Sequence, residues 1–98
     1  MKMNIKGTQI SITPAISDYL HKKIASLDKF IDKKDESVFA QIELAKTTHH
    51  HKSGAEVFRA EINMHTRGKD FYVFSESEDL YAAIDKMKDE IAREIQIG

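Results

Sequence analysis

VFRAEINMHTRGKDFYVFS, residues 57–75, decides the fold. Phe58, Ala60, Ile62 and Met64 alternate with Val57, Arg59, Glu61, Asn63 and His65, the period of two that belongs to a strand with one apolar face. Thr66-Arg67-Gly68-Lys69 follows as a hairpin turn in which glycine supplies a positive φ. Phe71, Val73 and Ser75 then alternate with Tyr72 and Phe74. Two antiparallel strands with matching apolar faces need a third element to cover them.

That cover is legible on both sides. Downstream, Ser77-Glu78-Asp79 opens a helix, with Ser77 as cap and acids facing the positive end of the dipole, and Leu80, Ile84, Met87, Ile91 and Ile95 form its apolar stripe. Upstream, a polar loop at 46–54 separates the hairpin from another strand beginning near Ser37, in which Val38, Ala40, Ile42 and Leu44 oppose Phe39, Gln41 and Glu43. Thr13-Pro14 starts an earlier helix whose stripe, Ile16, Leu20, Ile24, Leu27 and Ile31, predicts a helix reaching about Ile31, flanked by Tyr19 and Phe30. A charged turn follows at 32–35, and Met3 to Lys6 alternate before Gly7 as a short first strand. The order is β-α-β-β-β-α. It implies an α+β two-layer sandwich: a four-stranded sheet with two helices on one face, the first two strands parallel through a right-handed crossover, the rest joined by hairpins.

At 98 residues the chain is expected to be a single domain spanning 1–98. The absence of cysteine excludes a disulfide scaffold, a thiolate metal site and thiol catalysis. No apolar run approaches the roughly 18 residues of a membrane span, and the N-terminus lacks the apolar core of a secretion signal, so a cytoplasmic location is expected. The net charge of −1 announces no polyanion binder in bulk, yet its distribution is uneven. Residues 46–70 set Lys46, Lys52, Arg59, Arg67 and Lys69 against Glu56, Glu61 and Asp70, whereas 77–97 is acidic.

No phosphate-cradling glycine loop, nucleophile elbow or His-Glu-x-x-His pattern is present, and the carboxylates sit on outer helix faces and turns. No enzyme and no cofactor is expected. His49, His50 and His51 are consecutive, so their side chains diverge, and no carboxylate or cysteine stands beside them; a metal site is not expected. Below about pH 6.5 they add positive charge to their loop.

Two surfaces invite a partner. The uncovered sheet face would carry Phe39, Gln41, Glu43, Arg59, Glu61, Asn63, Tyr72 and Phe74. Phe39, Tyr72 and Phe74 there suit cross-strand packing, weak self-association as a homodimer, or base stacking, with Glu43 and Glu61 arguing against nucleic acid. The outer helix faces carry Lys22, Lys23 and Lys29 on the first helix and Lys86 and Arg93 on the second. They read either as a solubilising surface, with Lys86–Glu90 an i,i+4 ion pair, or as two basic edges able to straddle a phosphate backbone.

Ile12-Thr13-Pro14-Ala15-Ile16, Leu27-Asp28-Lys29-Phe30, Glu78-Asp79-Leu80-Tyr81-Ala82-Ala83-Ile84-Asp85 and Ile91-Ala92-Arg93 together resemble the ribosome hibernation-promoting factors, also called ribosome-associated inhibitors or sigma-54 modulation proteins. The resemblance covers nearly the whole chain. It implies a double-stranded-RNA-binding-domain-like fold and a short member of the family, or the N-terminal domain of a long one. It further implies a non-enzymatic protein that lodges in the decoding channel of the small ribosomal subunit and inhibits translation under stress or in stationary phase. Lys23, Lys29 and Arg93 match basic positions of the family, while Ser26 and Glu90 depart from them. The expected contacts to ribosomal RNA are Lys22, Lys23, Lys29, Lys86 and Arg93 from the helices, with Lys52, Arg59, Arg67 and Lys69 compensating from the sheet side.

Overall fold

A computed structural model describes residues 1–47 and 56–98. The strands are β1 (Lys2–Thr8), β2 (Phe39–Thr47), β3 (Val57–Thr66) and β4 (Lys69–Ser77); the helices are α1 (Pro14–Ala25) and α2 (Leu80–Ile97), with a short 3-10 helix at Asp28–Phe30. The sheet order is β1-β2-β3-β4, with β1 parallel to β2 and the other pairs antiparallel. The register sets Ile5, Ile42, Ile62 and Val73 in one row across all four strands, pointing to the same face. That face meets Leu20 and Ile24 of α1 and Ala83, Ile84, Met87, Ile91 and Ile95 of α2 in one core, as the α+β sandwich requires. No helix among the described residues is long and apolar enough to cross a membrane.

Four local details differ from the sequence expectation. The first helix does not reach Ile31: α1 ends at Ala25, and Ser26 Oγ donates to the Lys23 carbonyl at 2.6 Å. Beyond it the backbone bonds become one residue shorter, Leu27 to Ile24 and Phe30 to Leu27, and Ile31 is already extended. The three-residue step from Ile24 to Leu27 continues the apolar stripe equally well in either helix type, which is why periodicity overran the true end.

The second helix is capped by Asp79, whose carboxylate accepts from the Tyr81 N–H at 3.0 Å; Ser77 Oγ instead accepts from the Asp79 N–H. In β1 the strand continues through Gly7, because the Ile10 carbonyl lies 2.6 Å from where a Cβ would stand and only glycine admits that approach. At the β3–β4 turn both Arg67 (φ 54) and Gly68 (φ 71) are left-handed, the geometry that matches the twist of a two-residue hairpin.

Arg67 tolerates that conformation because Asp35 holds it. One carboxylate oxygen of Asp35 accepts from the Arg67 N–H at 3.0 Å and from Thr66 Oγ1 at 3.3 Å, while the other accepts from the Ser37 N–H at 3.0 Å. The Arg67 N–H, then the Ser37 hydroxyl and N–H, draw the Asp35 pKa from 3.8 to about 2. A depressed carboxyl stabilises the fold fully above the ordinary value and loses that contribution as the pH falls towards its native one. Thermal melts should therefore show wild type losing stability between about pH 4 and pH 2 faster than Asp35→Asn, the two curves converging near the lower limit. Parallel curves over that interval would remove Asp35 as the acid-sensitive pin between hairpin and β2.

Candidate functional site

The two helices lie side by side, and their junction follows from a second stripe on α2. Tyr81, Asp85, Lys88 and Ala92, spaced four, three and four apart, flank the core stripe and face α1 and the 3-10 helix. At one end Tyr81 meets Tyr19 edge-on, ring centroids 4.8 Å apart. The Tyr19 hydroxyl donates to Asp85 Oδ1 at 2.7 Å, and Lys23 Nζ lies 3.2 Å from the same oxygen and 5.3 Å from the Tyr19 ring centroid. Partial burial pushes the Asp85 carboxyl up, but the Tyr19 hydroxyl and the Lys23 ammonium outweigh it and hold the group below the usual range. Asp85 in turn raises the pKa of both Tyr19 and Lys23. Lys23 is therefore engaged as a brace between the helices.

At the other end the 3-10 helix and α2 diverge into a groove of about 460 Å³. Lys29 and Phe30 form one wall, and Lys88, Ala92, Arg93 and Ile97 the other. Lys29 Nζ rests 5.1 Å from the Phe30 ring centroid. Asp89 is the one carboxylate among the lining residues, and Lys88 Nζ lies 2.8 Å from it. Among the described residues, Lys22, Lys29, Lys86 and Arg93 have no carboxylate partner within 4.0 Å. The expected Lys86–Glu90 pair does not form; the described ion pairs of α2 are Lys88–Asp89 and Lys23–Asp85.

Lys29 and Arg93 line one groove, while Lys22 and Lys23 stand on α1 and Lys86 on α2, outside that lining. Arg59 stands on the opposite, open face of the sheet. Its guanidinium carbon lies 3.9 Å from the Phe74 ring centroid and its Nη2 donates to the Tyr72 hydroxyl at 3.3 Å; the Tyr72 hydroxyl in turn donates to Glu61 Oε2 at 2.6 Å. Arg67 and Lys69 are at the hairpin end, donating to the Ile95 carbonyl at 2.6 Å and the Gly98 carbonyl at 2.9 Å, where they satisfy the last turn of α2. Lys52, His49, His50 and His51 lie outside the described residues. Among the described residues no group of three or more histidine, aspartate or glutamate side chains converges as a metal site would.

The aromatic residues of the open face do not form one cluster. Tyr72 and Phe74, 52% and 46% exposed, are neighbours with centroids 6.5 Å apart. Phe39 pairs with His65 and Lys2, so β3 separates it from β4 by two strand spacings, about 10 Å. Sequence reasoning missed Lys88, Phe30 and Ile97 as groove residues. The stripe at 81, 85, 88 and 92 was the available signal; Phe30 had been placed on the flank of a helix that ends earlier.

Comparison with known proteins agrees with this arrangement. A ribosome hibernation promoting factor of Klebsiella oxytoca is 32% identical over 95 residues, which cover 97% of this chain and 90% of that protein. Its namesake in Azotobacter vinelandii is 30% identical over 95 residues, covering 97% of this chain and 79% of that protein. The solved N-terminal domain of Thermus thermophilus Protein Y superposes with a TM-score of 0.82 at 32% identity, over 99% of this chain and 98% of that one. A ribosomal subunit interface protein from Coxiella burnetii shares the fold, with a TM-score of 0.76 at 17% identity, over 99% of this chain and 96% of that one. Residues 3–96 match the family model described as sigma 54 modulation protein / S30EA ribosomal protein, and the chain belongs to that family.

Proposed function

We propose that the protein is a non-enzymatic, cytoplasmic ribosome-associated factor that binds ribosomal RNA in the decoding channel of the small subunit and inhibits translation under stress or in stationary phase. The observation that carries this reading is the helix layer, where Lys22, Lys29, Lys86 and Arg93 stand without carboxylate partners among the described residues. The fold packs both helices against one sheet, so the backbone positions that carry these cations are set before contact, while the exposed side chains themselves order on binding. Such side chains fix position on a phosphate backbone without reading sequence. The names of the relatives, ribosome hibernation promoting factors, supply the ribosome as the partner.

Co-sedimentation with purified small subunits tests it. The protein should pellet with them at low salt and be released as salt rises; its absence from the low-salt pellet overturns the proposal. A second reading, a weak homodimer through the open sheet face, draws on exposed Tyr72 and Phe74. It requires mass to rise with concentration in sedimentation, and Phe74→Asp to abolish that rise. Arg59 and Glu61 already engage both rings from within the chain, which favours the first reading.

A further inference from the structure

We infer that the groove between the 3-10 helix and α2 takes an unpaired nucleotide of the RNA, its phosphate held by Lys29 and Arg93 and its base laid on the Phe30 ring face that Lys29 covers in the free chain. The inference rests on the RNA-binding reading above and adds the kind of RNA element that the site accepts.

Its starting point is the mixed chemistry of the groove. Lys29, Lys88 and Arg93 suit phosphate, and Lys88 already neutralises Asp89. Phosphate contact alone does not explain the apolar half of the lining, where Phe30 is partly buried against the core and Ile97 is 77% exposed at the rim. An A-form duplex keeps its bases stacked inside and shows a protein mainly phosphates and 2′-hydroxyls, so it would leave that apolar surface unmatched. An unpaired nucleotide offers both halves of the match, an anionic phosphate and an apolar π-face, which is how proteins hold single strands. A volume of about 460 Å³ lies within the range of sites that hold small organic groups.

The position of Lys29 supplies the exchange. Its ammonium sits 5.1 Å from the Phe30 centroid, an attraction that is weak at an exposed site and readily given up. When a nucleotide enters, Lys29 swings to the phosphate and the vacated ring face receives the base. A second concave surface, a trough of about 500 Å³ on the open sheet face, is unsuited to this ligand. There Glu43 and Glu61 stand directly opposite each other and repel a phosphate.

The test compares a labelled oligouridylate with a short blunt RNA duplex by fluorescence anisotropy, using the full chain. Wild type should prefer the oligouridylate. Phe30→Leu should weaken that probe by about 5-fold or more, the lower end of one stacked base, while changing duplex binding less than about twofold; Phe30→Tyr should restore it. If Phe30→Leu melts too low to use, Ile97→Ser at the exposed rim provides the same comparison. Equal losses on both probes, no loss on either, or a wild-type preference for duplex overturns the inference. Pelleting with small subunits separates the two levels. A wild-type chain that pellets yet shows no single-strand preference refutes the nucleotide groove alone, whereas one that fails to pellet refutes the ribosomal reading and leaves the probe comparison to decide the groove.

Discussion

Glutamate at Lys29, Lys86 and Arg93 together should reduce affinity for small ribosomal subunits by about 100-fold or more at moderate salt. Each exposed cation-to-phosphate contact contributes roughly 1 kcal/mol, and each tenfold change in affinity corresponds to about 1.4 kcal/mol. Three contacts removed give about two decades, before the repulsion of three new carboxylates is added. The salt dependence should flatten as well. Counterion release scales the slope by about 0.7 per phosphate on single strands, so losing three contacts lowers it by roughly 2. Two controls make the result specific to the helix layer. Arg59→Glu alters a cation on the opposite face of the sheet, and Lys69→Gln one at the hairpin end; both should bind within about threefold of wild type if the helix layer is the contact surface. A triple variant that pellets as wild type does would remove the helix layer from the interface.

Ile62→Ala should cost about 2–5 kcal/mol of folding stability, the range for truncating a fully buried aliphatic side chain. Ile62 has no exposed surface and occupies the middle of the sheet, paired with Ile42 on one side and Val73 on the other. The strands are hydrogen-bonded on both sides and the helices bear on them from above, so the cavity has little freedom to collapse. For a domain of this size about 1 kcal/mol shifts the melting temperature by roughly 4–8 °C, which gives a fall on the order of 10–30 °C. Tyr72→Ala on the open face removes a side chain that is 52% exposed and should cost about 1 kcal/mol or less. Thermal unfolding followed by circular dichroism compares the two directly; equal losses would contradict a core confined to one face of the sheet.

The hairpin, the parallel β1–β2 pair and both helix stripes were readable because periodicity records which side of each element is wetted. All five residues of the α2 stripe are buried, as are Leu20, Ile24 and Leu27 of the first helical segment. The same logic misplaced helix ends, because a cap is chosen by the chain's path. Asp79 rather than Ser77 caps α2, since the strand continues through Ser77. The family resemblance placed Arg67 among the expected RNA contacts, and the structure has its guanidinium donating to the Ile95 carbonyl in the last turn of α2. A charge in a sequence carries no mark of whether a carbonyl or a carboxylate awaits it.

Residue order alone therefore determined the layers, the strand directions and the face each strand buries, because these follow from alternation and from the number of residues available to connect the elements. Only the tertiary structure decided which cations are paired and which lie together. It set Lys23 against Asp85 and Arg59 over Phe74, and left Lys29 and Arg93 lining one groove. The physical reason is range. Burial pattern is fixed within a few neighbouring residues, whereas an ion pair is fixed by side chains brought together from distant parts of the chain, such as Lys23 and Asp85.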